Sequence, residues 1–251
     1  MQSDAGVFAD GPHRQYPAPH SPWVLRMVWE DLLFEHWRIG PDLLKPLIPR
    51  GLELETFDGS AWLAVVPFRM TGVRPRATPP LPWLSDFPEL NVRTYVTAGG
   101  KPGVWFFSLD ADQPVAVATA RRLFHLNYRW AEMSCERSGN AVAYRSRRRR
   151  TGGKPAEYRA NYWPLEAMVP TPRGSLADFL VNRFCLYAAD KQGTVYRGEI
   201  DHPPWPLHEA AAEVTRDTMT APLGFDLPAK EPLRWFAPRL EVVAWLPERV
   251  R

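Results

Sequence analysis

Cysteine is scarce in this chain of 251 residues, and long hydrophobic runs are missing. The two cysteines, Cys135 and Cys185, are too few for a disulfide framework or a cysteine-based metal site. No stretch approaches the roughly 20 consecutive apolar residues that a membrane-spanning helix needs. The first residues also lack the basic region followed by an apolar run that a secretory signal has. We therefore expect a cytoplasmic protein that does not enter a membrane.

Lysine is rare as well. Lys and Arg together number 31, and only five of them are lysines, namely Lys45, Lys101, Lys154, Lys191 and Lys230. The formal net charge of +3 is too small to indicate nucleic-acid binding by itself. Residues 145–150 include five arginines, which attract phosphate, but they follow a strand pattern without a nucleic-acid-binding motif. We interpret this run as a solvated strand end and expect no nucleic-acid partner, with binding through these arginines as the alternative.

Proline, by contrast, is abundant, with 27 residues spread evenly along the chain. Because proline ends helices and is excluded from central strands, the composition excludes a helical bundle and favours short strands. Alternating apolar positions predict strands at residues 52–57 and 61–70, joined by a hairpin turn at Asp58-Gly59. A second pair of strands is predicted at residues 89–97 and 104–110.

Helices are predicted only as short additions to these strands. They span residues 42–48, 112–123, 176–190 and 207–218. The predicted fold class is α+β, mainly β, with antiparallel strands closed into a barrel and a few short flanking helices. We expect one domain over residues 23–251, preceded by a flexible leader over residues 1–22.

One predicted strand carries an unusual polar face. Alternate positions place Glu89, Asn91, Arg93 and Tyr95 on the same side of the strand. A carboxylate, an amide, a guanidinium and a phenol are the groups with which a ligand cavity orients a substrate. An exposed sheet face with an ordinary surface ion pair is the alternative, and the pattern alone leaves both open.

The sequence contains no recognised metal or cofactor motif, so we expect neither. None of the six histidines pairs with another ligand at a metal spacing, and Gly-rich phosphate loops and hydrolase nucleophile motifs are missing. Two single residues are candidates for ligand contact: His202, which neighbouring prolines hold, and Trp105, which lies on a strand pattern. A hydrogen-bonded structural histidine and a core tryptophan are the alternatives.

Several segments together resemble a known bacterial family, the YqjF-like domain of unknown function. They are EHWR (35–38), FPELNVRTYV (87–96), GKPGVWFFSLDA (100–111) and DHPPWPL (201–207). That family is similar to the acetoacetate decarboxylase superfamily. The resemblance implies a cone-shaped antiparallel β-barrel with a ligand cavity inside, and it favours the cavity interpretation of the Glu89 face.

The resemblance also exposes a missing residue. In the decarboxylases a lysine forms a Schiff base with a β-keto acid, and a second lysine beside it lowers its pKa. Aligning residues 120–131 with that segment places Tyr128 at the Schiff-base lysine and Arg129 at its neighbour, while Glu89 stands at a cavity glutamate. None of the five lysines replaces the nucleophile. Family members usually have Leu-Pro-Tyr where this chain has Leu126-Asn127-Tyr128.

These observations lead to the hypothesis of an enzyme that works without a Schiff base. Glu89 and Tyr128 would be its general acid/base pair, acting on a carbonyl-containing or anionic metabolite. The reaction stays open between enolisation, dehydration, cyclisation and isomerisation. The other predicted ligand-binding residues are Asn91, Arg93, Tyr95, Trp105, Arg121, Arg148 and His202. The alternative is a non-catalytic small-molecule binder or sensor, and the oligomeric state stays open, including a homo-oligomer.

Overall fold

Strands dominate the computed structural model, which describes residues 13–114, 118, 122, 124–149 and 156–250. They are β1 (Leu25–Ile39), β2 (Glu53–Leu54), β3 (Ala61–Pro75), β4 (Phe87–Ala98), β5 (Lys101–Ala111), β6 (Tyr128–Ser138), β7 (Ala141–Arg148), β8 (Glu157–Met168), β9 (Cys185–Ala189), β10 (Val195–Asp201), β11 (His208–Asp217), β12 (Leu233–Ala244) and β13 (Glu248–Arg249). The helices that the described residues form in full are short: α1 (Pro41–Leu44), α2 (Pro82–Ser85) and α3 (Leu176–Val181), with 3-10 turns at Lys45–Leu47 and Ala221–Leu223. The mainly β fold is confirmed.

These strands form one sheet that closes on itself. One ring runs β5-β6-β7-β8-β11-β12-β1-β3-β4 and returns to β5. A second runs β5-β9-β10-β12-β1-β3-β4 and also returns to β5. Neighbouring strands are antiparallel except for short parallel contacts of β5 with β6 and β9. Strands β12, β1, β3, β4 and β5 therefore form a wall that both rings share.

A hydrophobic core lies on each side of this shared wall. Successive side chains of a strand point to opposite faces, so Trp62 and Ala64 of β3 enter the first core while Leu63 and Val65 enter the second. The first core is completed by α3 and Trp205, and the second by buried tyrosines of β7 and β8. The predicted alternation along β3 is confirmed.

The helix predicted at residues 207–218 is wrong, because this segment is strand β11. Its alanines and glutamates favour a helix by propensity. In the structure Ala210, Ala212 and Val214 alternate toward the second core, and the segment pairs with β8. The backbone hydrogen bonds to β8 and the burial of every second side chain outweigh the helix propensity of these residues.

The helix predicted at residues 176–190 is right only in its first half. Ser175 caps α3 by accepting a hydrogen bond from the Asp178 backbone N–H at 3.1 Å. The helix ends at Val181, and the rest becomes β9, which pairs with β10 and β5. The apolar spacing after Val181 belongs to a strand between two partners.

The structure also changes the predicted hairpin at Asp58-Gly59 and the predicted start of the domain. Strand β2 pairs with β4 rather than β3, since the turn at Asp58-Gly59 carries only an isolated bridge. Arg14, which was assigned to the flexible leader, is buried and donates at 2.9 Å to both the Ile200 carbonyl and the Asp201 carboxylate. The packed chain thus begins before residue 23. The helix predicted at residues 112–123 lies largely outside the described residues.

Candidate functional site

The polar face of β4 points into the first core. Its side chains are almost inaccessible: Glu89 is 2% exposed, Asn91 5%, Arg93 8% and Tyr95 0%. Strand β4 lies between β3 and β5 in the shared wall, and Tyr95 packs with the first core. The alternative of an exposed sheet face is therefore wrong.

Tyr128 joins this face from the start of β6. Its hydroxyl donates a hydrogen bond to Glu89 Oε2 at 2.8 Å. The preceding residue holds the turn, because Asn127 Nδ2 donates to the Phe107 carbonyl at 2.5 Å and its own carbonyl accepts from Leu109 N–H at 3.1 Å. Asn127 thus ties the turn to β5.

Both members of this pair hold their protons strongly. Burial raises the pKa of Glu89 to about 8, the charge of Asp110 adds to the rise, and the Tyr128 hydrogen bond opposes it. Burial and the Glu89 carboxylate together hold the pKa of Tyr128 well above its usual range. At neutral pH Glu89 is therefore mostly a carboxylic acid beside a neutral phenol, with an ionised fraction that grows toward pH 8.

A second polar pair lies further along the same face. His36 Nε2 is 2.8 Å from the Tyr95 hydroxyl. Burial, helped by the charge of Arg93, lowers the pKa of His36 well below its usual range, so the ring is neutral. The Arg93 guanidinium lies over the rings of Phe34 and Tyr95, at 5.2 and 5.8 Å from their centroids. The cation is thus held in an aromatic environment.

Several buried polar atoms around this face have no hydrogen-bond partner among the described residues. They are Trp29 Nε1, His36 Nδ1, Trp62 Nε1, Asn91 Oδ1 and Arg93 Nε. A buried polar group without a partner costs about 1–3 kcal/mol, so such groups usually bind water or a ligand. Three of the five atoms are N–H donors, and this set fits a ligand rich in acceptor oxygens.

Two predicted ligand-binding residues lie on the other side of the wall. Arg148 donates to the Asp110 carboxylate at 2.7 Å and to Ser108 Oγ at 2.9 Å, on the face of β5 that meets the second core. Trp105 pairs with Thr94 and packs with the second core instead of the Glu89 face. Both side chains therefore lie on the opposite side of the wall from Glu89, and their predicted place in this cavity is wrong.

His202, another predicted ligand-binding residue, is not brought to the Glu89 face. His202 stacks on Phe184 with ring centroids 4.7 Å apart and contacts Trp205 at 5.1 Å. Its Nδ1 is 2.8 Å from the Pro203 carbonyl, and burial lowers its pKa to about 4. It is a packed histidine that contacts Trp205 of the first core. Arg121 lies outside the described residues.

The sequence reasoning missed three residues of the site. His36 lies in the segment EHWR, where alternation with Phe34 on β1 could have placed it inside. Arg183 stacks over Tyr95 at 5.1 Å and pairs with Glu55, but its segment was assigned to a helix. Tyr144 donates to the Glu89 backbone carbonyl at 2.7 Å from the second core, a contact that no local pattern signals.

The described residues contain no group of three His, Cys, Asp or Glu side chains that could hold a metal ion. Among the helices within the same residues, none has the length and apolarity to span a membrane. The arrangement offers proton donors, a proton acceptor with a raised pKa, and the two buried cations Arg93 and Arg183.

A closed, mainly antiparallel sheet with this interior defines a protein of the acetoacetate decarboxylase-like fold, and solved structures bear this out. The enduracididine biosynthesis enzyme MppR complexed with pyruvate matches with a TM-score of 0.61 at 12% identity, over 92% of this chain and 91% of that chain. An acetoacetate decarboxylase-like enzyme from Sphingomonas wittichii RW1 matches with a TM-score of 0.61 at 16% identity, over 97% and 99%. At these identities the likeness establishes the fold alone.

Sequence comparison defines the family within this fold. The model of DUF2071, described as "Uncharacterized conserved protein", matches residues 26–241. The "Uncharacterized protein YqjF" of Bacillus subtilis (strain 168) is 41% identical over 227 residues, which cover 90% of this chain and 93% of that protein. The chain therefore belongs to the DUF2071, or YqjF-like, family.

Proposed function

We propose that this protein binds a small carbonyl compound bearing a carboxylate in its first core and moves protons on it without a covalent intermediate. The observation that carries the proposal is the 2.8 Å hydrogen bond from Tyr128 to Glu89, formed where the decarboxylases are expected to hold their lysine. Glu89 and Tyr128 are the catalytic residues in this proposal.

The unpartnered donors of the first core support an anionic ligand. Arg93 Nε and the indole N–H of Trp62 are available to acceptor oxygens, and the guanidinium suits a carboxylate. The structure of MppR with pyruvate offers a parallel, since pyruvate is a carboxylate with an adjacent carbonyl. In our proposal Arg93 holds the carboxylate and Asn91 orients the group beside it.

The chemistry follows from the two protonation states. The ionised fraction of Glu89 removes a proton from the carbon next to the carbonyl, because a base with a pKa of about 8 is both strong and available near neutral pH. The Tyr128 hydroxyl donates a hydrogen bond to the enolate oxygen as negative charge develops there. Returning the proton to carbon or oxygen completes an enolisation, which is a step shared by isomerisations and dehydrations.

The lysines support the absence of a Schiff base. Among the four that the structure describes, Lys45, Lys191 and Lys230 are exposed. Lys101, the first residue of β5, pairs with Glu199 at 2.6 Å and lies opposite Ala98 of β4. None of these four contacts the Glu89 carboxylate.

Proton exchange with solvent tests the proposal. Wild-type protein in D2O should exchange the methyl protons of pyruvate or the α-protons of acetoacetate faster than buffer, as followed by proton NMR. Glu89→Gln should lower the rate by about 10²–10⁴-fold, the usual contribution of a general base, and Tyr128→Phe should also lower it. The matched control is Glu166→Gln, an exposed carboxylate on β8. An unchanged rate in Glu89→Gln contradicts the proposal.

The non-catalytic binder is the second candidate, and the missing lysine nucleophile favours it. A binder would use the same unpartnered atoms but would need no titrating carboxylate. Ligand-detected NMR would then show binding of pyruvate or acetoacetate that Arg93→Met weakens, with no exchange above the rate in buffer.

A further inference from the structure

The outer face of β7, β8 and β11 carries three arginines in one row. Arg145 of β7 lies directly opposite Arg159 of β8, and Arg159 lies directly opposite Arg216 of β11. All three side chains are exposed on the same face. We call them the arginine row. Neighbouring strands are about 4.8 Å apart, so the backbone positions of the three arginines span about 10 Å.

Little on this face compensates the repulsion within the row. Like charges directly opposite one another in a sheet are destabilising. Arg145 and Arg159 have no carboxylate partner among the described residues, whereas Arg216 shares Glu157 with Arg147 at 3.7 and 3.6 Å. Both ion pairs are well exposed to solvent, so they contribute little to the stability of the protein. The row therefore costs stability in the free protein, and an anion would relieve that cost.

The surroundings of the row decide which anion fits. A depression of about 540 Å³ lies over it and includes all three arginines. Glu132 and Glu157 line this depression on one side, and Glu213 lines the depression on the other side of Arg145 and Arg159. Glu132 pairs with Arg149, and Glu157 pairs with Arg147 and Arg216. The positive charge without a carboxylate partner on this face of the described residues is therefore a small patch, which fits a compact anion better than an extended nucleic-acid backbone.

We propose that the arginine row is a binding site for a phosphate group, either free or as a small phosphate ester. The planar guanidinium presents paired N–H donors that match phosphate oxygens, and two arginines opposite each other can hold one phosphate between them. The site lies on the solvent-facing side of the ring that contains β7, β8 and β11, and it is separate from Glu89 and Tyr128.

Titration of the full-length protein at constant ionic strength tests this site. Inorganic phosphate and phenyl phosphate are added in turn, and the Nε–H signals of the arginines are followed by NMR. We expect saturable shifts, and at least about a tenfold loss of affinity in the double variant Arg145→Ala/Arg159→Ala. The exposed Arg50→Ala is the control and should bind as wild type. Stronger binding of phenyl phosphate identifies an ester as the ligand, and stronger binding of inorganic phosphate identifies the free anion.

The same double variant separates binding from a structural role. Because removal of two opposed cations relieves repulsion, we expect its stability in urea to equal or exceed that of wild type. The proposal is overturned by shifts that do not saturate, by unchanged affinity in the double variant, or by binding of an RNA or DNA oligonucleotide where neither phosphate compound binds.

Discussion

Replacing Glu89 by glutamine should change how the stability of the protein depends on pH. The carboxyl is 2% exposed, and its pKa rises from an ordinary 4.5 to about 8 in the folded chain. Between these values the folded state keeps a proton that the unfolded state has released. Stability therefore falls as pH rises from about 4.5, and the full cost is reached above pH 8.

The size of the effect follows from the shift. About 3.5 pKa units at 1.36 kcal/mol each correspond to a full cost on the order of 5 kcal/mol, of which about 4 kcal/mol develops between pH 5 and pH 9. Glu89→Gln cannot ionise and escapes this cost. The free energies of unfolding of the two proteins must be compared at several pH values, because the amide also alters local hydrogen bonding. The change of their difference with pH isolates the titration of Glu89.

Urea unfolding of wild type and Glu89→Gln at pH 5, 7 and 9 measures this change. We expect the free energy of unfolding of wild type to fall relative to that of the variant by several kcal/mol across the series. The exposed Glu166→Gln serves as the control and should run parallel to wild type. Parallel curves for wild type and Glu89→Gln would refute the reasoning, because they would mean that the Glu89 pKa is ordinary.

Three further substitutions have defined outcomes. Tyr128→Phe removes the hydrogen bond that stabilises ionised Glu89, so the Glu89 pKa should rise by about 1–2 units, as measured by infrared titration of the protonated carboxyl band. Arg148→Ala leaves Asp110, which is 0% exposed, without its cation and should cost about 3–5 kcal/mol in urea unfolding; Arg148→Lys should recover part of it. Gly103→Ala would place its Cβ 2.7 Å from a backbone oxygen of β9 and should cost about 1–3 kcal/mol, seen as a lowered Tm.

The polar face of β4 was predictable because period two is a local property. Alternation alone put Glu89, Asn91, Arg93 and Tyr95 on one side, and the family resemblance then favoured the inside. Tyr128 came from alignment with the decarboxylase lysine rather than from any local pattern. The contact between Tyr128 and Glu89 joins residues 39 positions apart and depends on how β6 meets β5.

Two of the errors concern which of the two cores a residue faces. A strand with a core on each face has no solvent side, so inward-pointing residues divide between two interiors that a single pattern cannot distinguish. Trp105 of β5 belongs with the second core for this reason, and Arg148 of β7 belongs there because its partner Asp110 lies on the second-core face of β5. Arg183 was misplaced because the helix of its segment ends at Val181, where pairing of β9 takes over.

Borohydride reduction in the presence of pyruvate or acetoacetate tests most directly whether the Glu89–Tyr128 pair works in place of a lysine. A Schiff base would be reduced to a stable amine and would raise the mass of the protein by the reduced substrate. A lysine-containing acetoacetate decarboxylase serves as the positive control. We predict that wild-type protein which exchanges substrate protons keeps its unmodified mass. A mass increase that maps to any of its five lysines would contradict the proposal.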